Sequence, residues 1–157
     1  MTTPKFILAL REKIGHDLLW MPGITAVVLD DSSQVLLVRR ADDGRWSLPA
    51  GILEPGEQPA EAIVREIHEE TAVHATVDRL VRVESLPPTA YPNGDQVQYL
   101  DLCFRCHPTG GTPRVNDDES LEVGWFPLTD HPKLHPREEL CISNALEDNL
   151  APVFTTS

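Results

Sequence analysis

The chain has 157 residues, and its 25 acidic and 13 basic side chains give a formal net charge of −12 with the histidines neutral. This length fits one compact domain, and an apolar content of 41% is too high for a disordered chain. The excess of acids disfavours binding to the backbone of nucleic acids, which requires Lys and Arg side chains. No apolar run reaches the roughly 20 residues of a membrane span. The apolar run at residues 6–10 is too short for the core of a secretory signal, so we expect a cytoplasmic protein.

Two different hydrophobic patterns open the chain. In residues 4–20, apolar side chains recur every three or four positions, which predicts a helix within an N-terminal segment of residues 1–20. Residues 24–29 form a continuous apolar, β-branched run, and residues 34–40 form a second strand pattern after a polar turn. Because these two runs are so close in sequence, we expect them to form a β-hairpin.

The rest of the chain combines two further helices with strands. A helix is predicted to begin at Pro59, which fits a first helical position, and Glu61 is favoured in its first turn. The last helix is predicted over residues 136–150. Three more strands are predicted, at residues 75–84, 96–106 and 121–126. Strands that flank a central helix, with helices at both ends, predict one domain over residues 1–157 with its core at 24–130. The expected class is α/β, an α/β/α sandwich around a mixed β-sheet.

The cysteines do not suggest a disulfide framework or a metal site. There are three of them, and Cys103 and Cys106 form a C-x-x-C pattern inside a predicted strand. A spacing of three places two side chains on opposite faces of a strand. We therefore interpret these cysteines as small apolar core residues.

The acidic residues are concentrated in two short segments. Residues 51–73 hold six glutamates and one arginine, and residues 117–122 hold four more acids. On the predicted helix Glu66, Glu69 and Glu70 stand at positions i, i+3 and i+4, so they share one face. Two interpretations are open at this point: a solvated acidic face, or a site for a hard divalent cation, which prefers carboxylate oxygens.

The spacing within residues 51–73 favours the cation site. From Gly51 the chain reads G-ILEPG-E-QPAEAIV-R-E-I-H-E-E-T-A-V, which matches the pattern G-x5-E-x7-R-E-U-x-E-E-x-G-U, with U apolar, at eight of nine constrained positions. This pattern is the Nudix box, so the chain resembles the Nudix hydrolases over most of residues 24–130. The one departure is Ala72, where the family usually has Gly. A Gly at this position would end the helix in the left-handed conformation, which Ala adopts only at a cost of about 1–2 kcal/mol. We expect the protein to remain active despite this substitution.

The resemblance implies a role for each acidic residue of the box. It implies that Mg²⁺, or Mn²⁺ in its place, is bound by Glu66, Glu69 and Glu70, with the main-chain carbonyl of Ala50 and a later acid, Glu119. Asp118 and Glu122 are the reserve candidates for that later acid. Either Glu69 or Glu119 is expected to accept the proton of the attacking water.

Further residues are expected to support the site or to contact the substrate. Arg65 and Glu57 are expected to hold the carboxylates in position, so Arg65 joins Glu66, Glu69 and Glu119 in the predicted catalytic set. Gly51 and Gly56 are interpreted as backbone residues that let the loop bend around the metals. His68, at an unconstrained position of the box, is expected to face solvent. Two residues outside the box are candidate substrate contacts: Arg40 and Tyr91.

The resemblance implies a reaction more clearly than a substrate. The family cleaves pyrophosphate bonds in nucleoside diphosphates linked to another moiety. Pro88 stands where ADP-ribose pyrophosphatases carry a proline, whereas Tyr91 resembles a placement seen in dinucleoside polyphosphate hydrolases. We therefore favour an ADP-ribose or ADP-sugar substrate by a small margin.

Three alternatives remain: a hydrolase of modified nucleoside triphosphates, an RNA 5′ pyrophosphohydrolase, and a Nudix module that binds nucleotides without cleaving them. The net charge disfavours the RNA substrate. No membrane partner is expected. Homodimers are common among relatives, and the extra N-terminal helix is a candidate dimer contact.

Overall fold

The computed structural model describes residues 3–156, which form three helices and nine strands. The helices are α1 (Lys5–Ile14), α2 (Pro59–Thr71) and α3 (Pro136–Leu146). The strands are β1 (Leu19–Val28), β2 (Gln34–Arg40), β3 (Trp46–Ser47), β4 (Ala50–Ile52), β5 (His74–Ser85), β6 (Thr89–Ala90), β7 (Gln96–Gly110), β8 (Ser120–Pro127) and β9 (Val153–Phe154). None of the helices in this part of the chain is long and apolar enough to cross a membrane.

The strands form two sheets. A six-stranded mixed sheet has the order β4-β1-β7-β5-β9, with β6 paired to β7, and a three-stranded antiparallel sheet has the order β3-β2-β8. In the larger sheet β1 runs parallel to β7, from the pair Leu19 and Val97 to the pair Val28 and Cys106. The pairings of β7 with β5 and with β6 are antiparallel.

Helices cover both faces of the larger sheet. Side chains alternate between the two faces along each strand, so a strand that is apolar throughout supplies core residues to both. On one face Ile63 and Ile67 of α2 pack in a cluster with Ile24, Ala26 and Val28. The other face carries α3. Its buried residues Cys141, Ile142 and Ala145 cluster with the strand residues Val27, Val81 and Cys103. The predicted α/β/α sandwich is confirmed. Cys103 and Cys106 lie in different clusters, on opposite faces, and all three cysteines are free and buried.

The predicted hairpin of β1 and β2 is wrong. Among the described residues an isolated bridge joins Leu29, just after β1, to Val35 of β2, but the two strands form no ladder, and β2 belongs to the smaller sheet. Residues 24–28 are buried on both faces of the sheet, and β1 pairs with β4 at one edge and β7 at the other. β2 pairs instead with β3 and β8, which places it in the smaller sheet.

Both terminal helices are shorter than predicted. The first ends at Ile14 instead of residue 20, because Gly15 has a φ of 58° and residues 19 and 20 already belong to β1; residues 1 and 2 lie outside the described part of the chain. The last ends at Leu146 instead of residue 150. There Arg79 donates hydrogen bonds to the carbonyls of Asn144 (3.0 Å) and Glu147 (3.1 Å), which satisfies main-chain groups that a longer helix would use.

Candidate active site

The helix α2 presents the acidic residues of the box as predicted. Pro59 is in its first turn, and the helix ends at Ala72, which adopts the left-handed conformation with φ 60° and ψ 9°. The Ala72 N–H donates to the carbonyl of His68 at 2.9 Å, so the alanine performs the capping role that glycine usually has. Glu66 faces the protein interior, since it is only 2% exposed.

The burial of Glu66 depends on Gly51 in β4. A Cβ atom at position 51 would lie 2.2 Å from Cδ of Glu66 and 2.3 Å from its Oε1. Gly51 is therefore needed for close approach of the carboxylate, not for the bending of the loop that we expected. Gly56 does have the conformation of a bend, with a φ of 91°, and nothing described lies within 4 Å of a Cβ there. Its role is confined to the turn before α2.

Arg65 connects three of the predicted site carboxylates. Its guanidinium pairs with both oxygens of Glu57, Nε to Oε1 at 2.7 Å and Nη2 to Oε2 at 3.0 Å. Its Nη1 donates to Oε1 of Glu66 at 3.0 Å and to Oε2 of Glu69 at 3.1 Å. The hydrogen bonds from Arg65 lower the pKa of Glu57 below its usual value, although partial burial opposes them. The arrangement fits the predicted supporting role of Arg65 and Glu57.

Two carboxylates of the box lie in surroundings that disfavour negative charge. Burial raises the pKa of Glu66 to about 7, and Arg65 opposes part of that rise. Burial, followed by the charges of Glu66 and Asp117, raises the pKa of Glu70 well above its usual value. The Oε2 atom of Glu70 is buried and has no hydrogen-bond partner among residues 3–156. An acceptor oxygen without a partner beside a second buried carboxylate is an environment that a bound cation would stabilise.

The predicted metal ligands border two adjoining cavities. Glu66, Glu69 and Glu119 line a hollow of about 410 Å³. Ala50, Glu70 and Glu119 line a larger cavity of about 700 Å³. Within the described residues, no three His, Cys, Asp or Glu side chains are grouped closely enough to hold a metal ion. One reason is that Arg65 donates hydrogen bonds to Oε1 of Glu66 and Oε2 of Glu69, so these oxygens are turned toward the guanidinium. The set of metal ligands stays a prediction.

The two predicted substrate contacts both line the larger cavity. The guanidinium of Arg40 pairs with Asp42 through bonds of 2.9 and 2.5 Å, and the hydroxyl of Tyr91 lies 2.7 Å from the hydroxyl of Tyr99. Of the two reserve acids, Asp118 borders both cavities. Glu122 is paired with Arg39 at 2.6 Å and borders neither.

Several residues of the site were missed or misplaced from the sequence. His68, which we expected to face solvent, borders the smaller hollow, and its ring stacks on His74 with centroids 4.4 Å apart. The side-chain amide of Asn116 donates a hydrogen bond to the main-chain carbonyl of His68 at 3.0 Å. The carboxylate of Asp117 accepts hydrogen bonds from the main-chain amides of residues 119 and 120. The signal for the last contact is the Asp two residues before Glu119, a common turn pattern. No comparable signal marks Tyr99.

Several known proteins resemble this chain in sequence or in structure. The family model of the NUDIX domain matches residues 19–145. The 8-oxo-dGDP phosphatase NUDT18 from Homo sapiens is 36% identical over 115 residues, which cover 69% of this chain and 33% of that protein. An ADP-ribose pyrophosphatase from Methanocaldococcus jannaschii is 34% identical over 110 residues, or 68% of this chain and 62% of that protein.

A solved structure supports the fold in particular. The crystal structure of an ADP-ribose pyrophosphatase from Streptococcus suis has a TM-score of 0.66 and 22% identity, and covers 86% of this chain and 98% of that one. The chain spans between about a third and two thirds of the length of the two sequence relatives named above. The matched family model covers most of the chain, including the whole box and the acidic residues that border both cavities. The chain therefore belongs to the Nudix hydrolase family.

Proposed function

We propose that this protein hydrolyses the pyrophosphate bond of a nucleoside diphosphate linked to another moiety, with the help of a bound divalent cation. The main support is the unpartnered, buried Oε2 atom of Glu70 beside buried Glu66, at the edge of a cavity large enough for a nucleotide. Nudix hydrolases generally need a divalent metal, usually Mg²⁺. A buried acidic pair in this family is what such a cation would stabilise.

In the proposed site the carboxylates of Glu66, Glu69, Glu70 and Glu119 and the main-chain carbonyl of Ala50 would hold the cation. A divalent cation there would neutralise charge on the phosphate oxygens and lower the pKa of the attacking water. Mn²⁺ has similar ligand preferences and is expected to substitute for Mg²⁺.

The protein residues have separate tasks in this proposal. Arg65 orients Glu66 and Glu69 through the hydrogen bonds described above and limits their mutual repulsion. The side chain of Glu69 is 54% exposed, so it can reach water and accept a proton from it; Glu119 is the alternative base. Arg40 contacts a phosphate oxygen, for which it exchanges its surface pairing with Asp42.

The two adjoining cavities favour a substrate with groups on both sides of the pyrophosphate. They meet at Asp118 and Glu119, so the bond to be cleaved can lie at the junction while each half of the substrate enters one cavity. ADP-ribose has this shape, and a relative from Methanocaldococcus jannaschii is named an ADP-ribose pyrophosphatase. We therefore propose ADP-ribose or an ADP-sugar as the substrate. A modified nucleoside diphosphate is the second candidate, because the human relative is named an 8-oxo-dGDP phosphatase.

The proposal is tested by kinetics on a panel of ADP-ribose, ADP-glucose, 8-oxo-dGDP, 8-oxo-dGTP and diadenosine polyphosphates, with Mg²⁺. We expect the wild type to release nucleoside monophosphates from ADP-ribose. The variant Glu69→Gln keeps the size of the side chain and removes its charge, so its kcat should fall about a thousandfold. The matched control is Glu61→Gln, an exposed carboxylate in the first turn of the same helix, which should keep wild-type kcat.

Two results would contradict the proposal. Unchanged kcat in Glu69→Gln would remove that residue from the reaction. A wild type that cleaves none of the panel but binds a member of it in calorimetry would instead be a nucleotide-binding module. All the glutamates of the box are present in this chain, which favours the enzyme.

A further inference from the structure

The helix α1 lies outside the Nudix match, which begins at residue 19, yet it contributes to the larger cavity. Its residues Ile7 and Arg11 line that cavity. Ile7 is only 5% exposed and packs in a cluster with Met21, Ile52 and Val97 of the larger sheet. The helix is therefore a wall of the site and not an appended segment beside it.

Hydrogen bonds from two residues fix α1 in place. The side chain of Arg11 is only 12% exposed. Its guanidinium donates to the carbonyls of Gly15 at 3.1 Å, Asp17 at 2.6 Å and Gln96 at 2.6 Å. His16, just after the helix, lies 2.7 Å from the carboxylate of Asp95. These contacts join the end of α1 to the first residue of β7 and to Asp95 just before it. A wall held in this way needs no reordering when a ligand binds, which favours affinity.

The lining of the larger cavity combines polar groups of the candidate active site with apolar and aromatic side chains. Arg40, Glu70 and Glu119 are among the polar residues, and Ile7 is among the apolar ones. Tyr99 packs against the apolar cluster that contains Ile7, and its hydroxyl lies 2.7 Å from the hydroxyl of Tyr91, which also lines the cavity. A nucleobase has apolar flat faces and a hydrogen-bonding edge, and aromatic rings with hydroxyl groups complement both. In the proposed reaction the phosphates lie beside Glu70 and Glu119, which we call the catalytic end of the cavity.

We infer that α1, together with Tyr91 and Tyr99, forms the wall that binds the nucleoside of the substrate. The inference rests on the proposed function, because it takes the catalytic end of the cavity as the place of the pyrophosphate. It makes α1 a determinant of specificity: Ile7 limits the space for the base, and Arg11 positions the helix. Tyr91 supplies an aromatic face from the segment to which α1 is joined.

Binding of reaction products tests the inference without any cleavage. Calorimetry in the presence of Mg²⁺ would compare AMP and 8-oxo-dGMP with ribose 5-phosphate, which has the same phosphate but no base. The wild type should bind at least one nucleotide more than tenfold tighter than ribose 5-phosphate. Ile7→Trp, which fills the cavity, and Tyr91→Ala, which removes the ring, should abolish this difference while ribose 5-phosphate still binds.

The control variant is Leu8→Ala, on the exposed side of the same helix, where the side chain is 52% exposed and lies outside the cavity. It should keep the full preference for nucleotides. Thermal unfolding of each variant checks the fold, and if Ile7→Trp unfolds, Tyr91→Ala decides. Equal affinity of the wild type for the nucleotides and ribose 5-phosphate would overturn the inference, and so would a preference that survives in Tyr91→Ala.

Failure of the inference and failure of the proposed function give different results. Hydrolysis of ADP-ribose without any preference for nucleotides would reject the nucleoside wall and leave the hydrolase intact. A nucleotide preference that the variants remove, in a protein that cleaves no pyrophosphate, would support the wall and reject the hydrolase.

Discussion

The carboxylate of Glu66 lies against the main chain of Gly51, in space that any side chain at position 51 would occupy. A Cβ atom at position 51 would lie 2.2 Å from Cδ of Glu66, which is well below any normal contact. Glu66 is nearly fully buried, so it has little room to move aside. The glycine of the box thus sets where one predicted metal ligand lies.

The variant Gly51→Ala is expected to displace the carboxylate of Glu66 by about 1 Å or more. Misplacement on that scale should lower kcat about a hundredfold and weaken Mg²⁺ binding. Gly110→Ala is the matched control, since a Cβ there meets no described atom within 4 Å. Steady-state kinetics and Mg²⁺ titration check both variants, and equal losses in the two would show that the close approach at position 51 has no special role.

Ala72 allows a second prediction at a single residue. It adopts a left-handed conformation that costs a non-glycine residue free energy, and its N–H still caps α2. Ala72→Gly should relieve that strain, less the added entropy of the unfolded chain, and so stabilise the protein by about 0.5–1 kcal/mol. Urea unfolding measures the change. We expect kcat to stay the same, and a loss of stability would contradict this account of the helix end.

At the residue scale the sequence predicted identities better than environments. The fixed spacing of the box selects Glu66, Glu69 and Glu70 as candidate metal ligands, and all three lie in α2. It could not predict that Glu66 is buried against Gly51, or that His68 is turned toward the site. Both depend on β4 and on the segment around residue 116, which approach α2 only through the tertiary fold.

Among the elements, α3 is tied to the larger sheet by charged side chains as well as by its apolar face. Arg137 donates to Glu84 of β5 at 2.6 Å and also pairs with Asp101 of β7. Glu84 accepts a second bond, from Arg82, at 2.8 Å. Burial alone would raise the pKa of Glu84, but the bonds from Arg82 and Arg137 outweigh it and hold that pKa below its usual value.

The variant Glu84→Gln should therefore be less stable than the wild type in a way that depends on pH. A carboxyl group whose pKa is lowered by folding adds stability above its unfolded pKa, and this contribution is lost as the pH falls through the lower, folded value. We expect a loss of about 2 kcal/mol at pH 7 that shrinks as the pH falls below the ordinary pKa of glutamate, about 4.3. Urea unfolding across pH 3–8 measures it. Glu12→Gln, at an exposed position of α1, is the control, and a loss that is constant with pH would contradict the charge-based explanation.

Element types were predicted well, and their partners were not. The period of α2 is a local signal, and this helix begins at Pro59 as the sequence indicated. The apolar run at residues 24–29 marked only the second half of β1, which begins at Leu19. The hairpin failed because β2 pairs along its length with β8, a partner far away in sequence that no local pattern indicates. The terminal helices end early because Gly15 and the bonds from Arg79 stop them.

For the whole molecule, the net charge of −12 means that acidic side chains repel one another in the folded state. We therefore expect a bound divalent cation to stabilise the fold. A ligand that binds only the folded state raises stability, by about 2.7 kcal/mol at a hundred times its Kd. Mg²⁺ should therefore raise Tm in a concentration-dependent manner, and the shift should be smaller in Glu69→Gln. NaCl at equal ionic strength is the control for general screening of the acidic chain. A rise that NaCl reproduces in full would show that no specific site is involved.

The parallel pairing of β1 with β7 has a consequence for how the chain folds. The central strand Leu19–Val28 pairs along its length with residues 97–106, so this ladder joins segments far apart in sequence. Such contacts must wait for a long loop to close, and topologies rich in them fold slowly. During synthesis on the ribosome, β1 emerges well before its partner, and its apolar residues stay without that partner until β7 has left the exit tunnel. We expect this domain to complete its larger sheet only after β7 has been synthesised, with β1 as the segment most in need of protection until then.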